Sequence, residues 1–258
     1  MPANRALREL LDRYRAGIIP LEEAAREIEG LRLEAVGELA RLDLGRPLRC
    51  GLPEAVLAEG KPDSQLAEIA VSHARASGRC LVTRASPGQA AALSAAAAEA
   101  GLAVEGRMDA GVLVVSDGRA RPSGGGTVGI VTAGTSDIPV AEEARAVAEE
   151  MGCDVRCAYD VGAAGIHRLF PALKGLLDCD VFVVAAGREG TLPSVVAGLV
   201  DRPVIGVPVS TGYGFQGAGQ AALGAMLQSC AVLAVVNIDA GFVAGAFAAR
   251  IANGVQRE

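Results

Sequence analysis

The chain has 258 residues, 51% of them apolar, with a net charge of −6 and a pI near 5.1. That length supplies one large or two modest domains with a buried core, and the lack of a dense Lys/Arg patch argues against nucleic acid, whose phosphates select one. No apolar run reaches the roughly 18 residues that a membrane span needs, and Met1-Pro2-Ala3-Asn4-Arg5 lacks an apolar signal core, so no membrane partner and a cytoplasmic location are expected. Acidic small molecules stay open, because backbone N–H groups and a few cations can hold them. With 3% aromatic residues and no Trp, the core must be built from Ala, Val, Leu and Gly at close approach. That composition suits helices on a parallel sheet.

Residues 4–40 space Leu, Ile and Ala helically among Arg and Glu, with a break from Gly17 to Pro20, which predicts two short amphipathic helices. Residues 42–65 are rich in Gly, Pro and charge, and are expected to stay out of the core. A helix near 65–77, a strand over 79–84, an Ala-rich helix over 88–100 and a strand over 111–116 make a small α/β unit. His73, in a polar helix, reads as a solvated surface residue. The Gly- and Arg-rich stretch Asp117 to Gly126 reads as a linker, dividing the chain into an N-terminal region of residues 1–120 and a domain of residues 127–258.

Beyond the linker, apolar runs at 127–133, 154–159, 181–186, 204–209 and 232–238 alternate with helical patterns. Continuous apolar runs predict strands covered on both faces, hence a parallel sheet in a three-layer α/β/α domain. All but the second run end in small residues. In open α/β sheets such strand ends are where ligands sit.

Gly134-Thr135-Ser136-Asp137 joins the first of these strands to a helix with Pro139 in its first turn. Two readings stand: Ser136 or Asp137 caps the helix, or the same groups grip a phosphate or ribose. His167 and Arg168 follow the second strand and the Gly-Ala-Ala-Gly approach, so His167 is either structural or set at the ligand-bearing edge. In Gly187-Arg188-Glu189-Gly190, the flanking glycines would let backbone approach a ligand, and Glu189 would serve as a base or orient a ring, unless it only complements a helix dipole. The six cysteines, Cys50, Cys80, Cys153, Cys157, Cys179 and Cys230, read as free thiols. Cys153 and Cys157 form a CxxxC with no second pair, a weak metal signal beside the reading of strand-buried residues. Cys230 by itself reads as a buried core thiol. A nucleophilic role would need its pKa drawn below about 8.5 by a cation or ordered dipoles.

Together, GTSD (134–137), His167-Arg168, residues 185–199 and GVPV (206–209) resemble the aminoimidazole ribonucleotide carboxylases and mutases of purine synthesis. Those enzymes carry a His-containing Gly-rich loop where Gly187-Arg188-Glu189-Gly190 stands here. The motifs at 42–61, PSVVAGL (193–199), STGYGFQG (210–217), MLQSCA (226–231) and VVNIDAGFVAG (235–245) resemble more closely the LarB family, the pyridinium-3,5-biscarboxylic acid mononucleotide synthases of nickel-pincer cofactor assembly. The resemblance implies an enzyme that takes nicotinic acid adenine dinucleotide, adds CO2 to its pyridinium ring and hydrolyses the phosphoanhydride to release AMP. It implies Cys230 as the nucleophile that makes the electron-poor ring enamine-like, and Glu189 as the carboxylate that takes the ring proton. His167 and Asp137 would be further catalytic residues, at the mononucleotide end, with Thr135 and Ser136 on the ribose phosphate. Gly134, Arg168, Gly187, Arg188, Gly190, Ser210 and Gly212 would complete the substrate site. Mg2+ is expected to aid phosphoanhydride cleavage, with its protein ligands unassigned and no organic cofactor. The resemblance further implies a homo-octamer. Arg46, Arg49 and Lys61 either reach the adenylate phosphates or are solvated. Two other activities are weighed: a carboxyaminoimidazole ribonucleotide mutase, and a non-catalytic nucleotide-binding regulatory module.

Overall fold

The computed structural model describes residues 5–28, 30, 33–212 and 214–255. Met1 to Asn4 and Tyr213, which the sequence reading used, lie outside them. The chain divides into two compact units, Met1–Ala120 and Arg121–Glu258.

In the first unit, α1 (Arg5–Arg15) and α2 (Leu21–Ile28) turn back on each other at Gly17, whose φ of 70° suits a residue without a side chain. Leu10, Ile19 and Ala24 are buried there. β1 (Leu33–Val36) and β2 (Ala40–Asp43) form an antiparallel hairpin, where helix had been expected to continue to residue 40. After α3 (Arg46–Cys50) come β3 (Ala55–Leu57), α4 (Asp63–Ser77), β4 (Arg79–Thr83), α5 (Pro87–Glu99), β5 (Ala103–Arg107) and β6 (Val112–Ser116). The sheet order is β3-β4-β6-β5, with β3 parallel to β4 and the other pairs antiparallel. α4 and α5 place Leu66, Ile69, Ala70 and Leu93 on Val56, Val82, Leu113 and Val115.

Two expectations fail here. Residues 42–65 do enter the core: Leu42, Val56 and Ala58 are buried. A three-residue strand is too short to show a period, and β3 gains its place from pairing with β4. His73 is not solvated but 4% exposed. It falls on the inward stripe of α4, seven residues after Leu66 and three after Ala70. Its Nδ1 lies 3.2 Å from the Ser77 hydroxyl, its Nε2 is buried without a hydrogen-bond partner, and burial holds its pKa below the usual imidazole range.

The second unit runs β7 (Thr127–Thr132), α6 (Ile138–Glu150), β8 (Asp154–Ala158), α7 (Leu169–Lys174), β9 (Val181–Ala186), α8 (Thr191–Ala197), β10 (Val204–Pro208), α9 (Gln220–Leu227), β11 (Ala234–Val235) and α10 (Gly241–Val255). The sheet order is β8-β7-β9-β10-β11, every pair parallel. α6 and α10 cover one face, where Ala141, Ala144, Ala248 and Ala252 meet Val128, Ile130, Val183 and Val207. α7, α8 and α9 cover the other with Leu169, Leu173, Leu192, Val196 and Met226 on Val131, Phe182 and Val184. The three-layer α/β/α architecture follows. The apolar run at 232–238 is strand only at Ala234–Val235, because just two residues pair with β10 and Val232 faces outward.

The chain leaves β7 toward β8 on one side, then returns past β7 to β9 on the other. The crevice between the C-terminal ends of β7 and β9 is therefore the topological switch point of the sheet, where open α/β sheets bind ligands.

Candidate active site at the strand ends

At that switch point stands Asp137, in a 3-10 turn (Thr135–Asp137) that leads into α6. Oδ2 accepts the Gly134 N–H at 2.8 Å and Oδ1 accepts the Gly187 N–H at 3.1 Å. The Thr211 hydroxyl adds a third hydrogen bond. Loops after β7, β9 and β10 thus converge on one buried carboxylate. Desolvation raises its pKa, opposed by these three bonds, while nearby Glu189 adds to the rise. Asp137 has no side-chain bond to the N-terminus of α6 itself, but through the Gly134 N–H it closes the start of the 3-10 turn that leads into that helix. Its oxygens are spent on the loops after β7, β9 and β10.

Thr135 and Ser136 are exposed on the same turn, ahead of α6. Their position at the start of a 13-residue helix offers hydroxyls and a favourable dipole to an anion. Gly187 is buried against the carboxylate: a Cβ there would sit 3.3 Å from both Asp137 Oδ1 and Thr211 Oγ1. Gly190 has φ 63° and packs on α9, where a Cβ would come 2.7 Å from the Ala222 Cα. Between them, Arg188 and Glu189 are exposed. The Gly190 N–H bonds the Gly187 carbonyl at 2.8 Å, closing the loop into a turn that presents Glu189 outward.

His167 and Arg168 lie exposed on a 3-10 segment (Ala163–Arg168) after β8. Arg168 Nη1 donates to Asp160 Oδ2 at 2.7 Å, and the guanidinium lies over Gly165, where a Cβ would meet Nε at 2.8 Å. Asp160 is left-handed (φ 58°), and its N–H donates to the buried Thr132 hydroxyl at 3.0 Å. The His167 loop is thereby tied to the end of β7. The pair itself is half exposed and worth under about 1 kcal/mol, so an anionic ligand could take Arg168 from Asp160.

Ser210 and Gly212 follow β10. The Ser210 N–H donates to Asp239 Oδ1 at 2.8 Å, and Gly212 lies so close to the next loop that a Cβ would be 2.7 Å from the Arg188 N. Thr132, Asp160, Thr211 and Asp239 were missed by sequence reasoning. Thr132, Thr211 and Asp239 bond groups on loops or strands distant in the chain, Asp160 is set by its N–H on Thr132, and only the placement of Asp239 in an Asp-Ala-Gly turn gave a local signal.

Cys230 corrects the core-thiol reading, since it is exposed. Met226 packs inside one turn earlier, but α9 ends at Leu227 and the following residues turn outward. Cys80, Cys153 and Cys179 are buried, and burial pushes Cys153 and Cys179 up to about 11. Cys157 is exposed as a residue, correcting its reading as strand-buried, yet its thiol rests against Tyr159 and desolvation raises its pKa. Within one chain Cys230 does not join the rest of the site. It precedes β11, whereas Glu189 follows β9, and in a parallel sheet those positions are at opposite ends of the strands.

Arg46 is bonded to Glu54 at 2.9 Å, Arg49 to Asp43 and to the Gly30 carbonyl, and Lys61 to the Leu57 carbonyl. Each of these cations has a partner within the first unit. Among the described residues no group of three or more His, Cys, Asp or Glu side chains could hold a metal ion, and no helix is long and apolar enough to cross a membrane.

Residues 127–258, just over half of the chain, match the family model described as AIR carboxylase. The chain belongs to the AIR carboxylase family. Residues 33–112 match the LarB/PurE-like N-terminal domain, and the pairing of these two domains is the LarB arrangement. The AIR carboxylase match coincides with the parallel sheet and all of its strand-end loops. The LarB-type chain is 43% identical to an uncharacterized protein of Methanocaldococcus jannaschii over 96% of its own length and 98% of the relative's. It is 37% identical to the N5-carboxyaminoimidazole ribonucleotide mutase of Thermotoga maritima over 33% of this chain and 50% of that protein. A probable mutase of the same kind from Methanothermobacter thermautotrophicus is 34% identical over 47% of this chain and 36% of the relative. Its mutase relatives are enzymes, and the residues it shares with them lie in a carboxylase and mutase family.

Proposed function

We propose that this chain converts nicotinic acid adenine dinucleotide, CO2 and water to pyridinium-3,5-biscarboxylic acid mononucleotide and AMP. The observation that carries the reading is the exposed Cys230 thiol in a chain of LarB arrangement, whose Gly187–Gly190 loop offers a carboxylate and no histidine. A pyridinium ring is too electron-poor to attack CO2. Addition of the Cys230 thiolate to the ring turns it into an enamine-like dihydropyridine, a ring carbon then bonds to CO2, and Glu189 takes the proton from that carbon. The carbon–sulfur bond breaks as aromaticity returns, so the thiolate is recovered and one ring hydrogen has been exchanged for a carboxylate. Water then cleaves the phosphoanhydride, releasing AMP.

Thr135, Ser136, Arg168 and His167 would hold the mononucleotide end, with Asp137 fixing the loops around it. Mg2+ would neutralise phosphate charge during cleavage. Since no cluster among the described residues fits it, it would arrive with the substrate phosphates, and no step is assigned to it. The separation of Cys230 from Glu189 within one chain supports an oligomer in which one copy's thiol meets another's strand-end loops, consistent with the octamer that the resemblance implies.

The test is one incubation of the protein with the dinucleotide, bicarbonate and Mg2+, with mass detection of AMP and the dicarboxylated product. Both are expected. The mutase matches favour one other reading, carboxyaminoimidazole ribonucleotide turnover, and product from that substrate alone would replace the proposal. Tight dinucleotide binding with no product would leave a regulatory module.

A further inference from the structure

Asp239 lies four residues past β11 with φ 55°, a left-handed conformation in which glycine is the usual occupant and Asp is among the few others accepted. Its side chain is in use. Oδ1 accepts the Ser210 N–H at 2.8 Å, while its own N–H donates to the Pro208 carbonyl at 2.9 Å. One residue therefore grips both sides of the point where β10 becomes a loop. Between the two contacts, the Val209 N–H donates to the Ala186 carbonyl at 3.1 Å, at the root of the loop that carries Glu189.

The grip is passed on from Ser210. Next in the chain, Thr211 gives its hydroxyl to the Asp137 carboxylate, which also holds the Gly134 and Gly187 N–H groups. One residue further, Gly212 abuts the Arg188 N at a distance that leaves no room for a Cβ. Displacing the 210–212 turn would therefore move both the Asp137 strut and the backbone of Arg188.

We propose that Asp239 is a positioning residue that sets the 210–212 turn and, through it, the attitude of the Gly187–Gly190 loop and its Glu189. The bond to Ser210 ends on a carboxylate and is stronger than a neutral one. Two carboxylates, Asp137 behind β7 and Asp239 behind β11, then brace the strand-end loops from opposite sides. Neither needs to touch the substrate. The kinetic consequence rests on the proposed role of Glu189, while the loop geometry does not.

The test compares Asp239→Gly, Asp239→Asn and Thr211→Val. Asp239→Gly accepts the left-handed backbone but removes the acceptor. Its kcat for ring carboxylation is expected to fall at least about tenfold with little change in KM, since misplacing a catalytic group costs the chemical step. Faster amide hydrogen exchange at Ser210 and across 187–190 is expected alongside. Asp239→Asn accepts the same backbone and restores the acceptor, so it should recover most of the kcat. Thr211→Val is nearly isosteric and cuts the relay one step later, so it should reproduce the kcat loss. Unchanged exchange at 187–190 in both Asp239→Gly and Thr211→Val would overturn the proposal, as would an Asp239→Asn variant as impaired as Asp239→Gly. If the wild-type protein makes no product from the dinucleotide, the functional reading falls, and the exchange measurements still decide whether Asp239 positions the loop.

Discussion

At the residue scale the proposed chemistry assigns its two main roles to Cys230 and Glu189, and each is exposed, so substitution there costs little fold stability. Cys230→Ala is expected to abolish the dicarboxylated product while the thermal midpoint stays within about 2 °C of wild type, as surface changes usually shift stability by under about 0.5 kcal/mol. Full carboxylation by that variant would sink the covalent route. His73 behaves differently. Its folded pKa is depressed by burial, so the neutral ring's contribution to stability is present above the unfolded pKa and is lost as pH falls through the folded one. Denaturant midpoints of the wild type are expected to drop between about pH 7.5 and about pH 5, and those of His73→Gln to drop less, imidazole being the group that titrates in this window. Parallel profiles for the two proteins would show that His73 is not the group responsible.

Elements in this chain are held together by small residues. α10 lies on α6 so closely that a Cβ on Gly245 would stand 2.2 Å from the Ala144 carbonyl oxygen, and one on Gly241 would stand 2.2 Å from that of Val140. The Ala/Gly face of α10 is thus spent inside the unit, leaving Val243 and Phe247 outside. Replacing Gly by Ala in a helix gains about 1 kcal/mol from propensity. At Gly245 a clash with backbone outweighs that gain, because no rotamer can relieve it, and overpacking costs about 1–3 kcal/mol. Gly245→Ala is therefore expected to lower the thermal midpoint, whereas Gly254→Ala, with no atom near its Cβ position, should leave it level or raise it. Calorimetry of the two variants side by side checks the sign.

At the scale of the whole molecule, the placement of Cys230 and Glu189 at opposite ends of the strands makes assembly part of the proposed mechanism. Light scattering at micromolar concentration is expected to give a multiple of the 26.1 kDa chain. A stricter prediction concerns mixed assemblies. Cys230→Ala and Glu189→Gln subunits, each inactive in carboxylation alone, should recover part of the activity when co-expressed, since some interfaces then pair an intact thiol with an intact carboxylate. No recovery in mixed oligomers verified by mass would confine both groups to one chain's site.

Local pattern was enough to show much of this. The four long parallel strands and the Ala-rich helices were legible because burial on both faces leaves an unbroken apolar run and because Gly and Pro punctuate it. The strand-end positions of Glu189, His167 and Ser136 followed from the order of those runs. What was not legible depended on partners distant in the chain. β3 and the polar edge strand β5 exist by pairing with β4 and β6, and His73 is buried because the inward face of α4 meets the rest of its unit. Asp137 and Asp239 bond backbone groups 50 and 29 residues away, and no spacing rule encodes such reach. Sequence alone therefore determined the architecture of the second unit and the edge of the sheet that bears the site. Tertiary structure decided which carboxylates serve as struts, which thiol is open to solvent, and that Cys230 and Glu189 stand apart within one chain, because hydrogen-bond satisfaction and burial are settled only when separate segments meet.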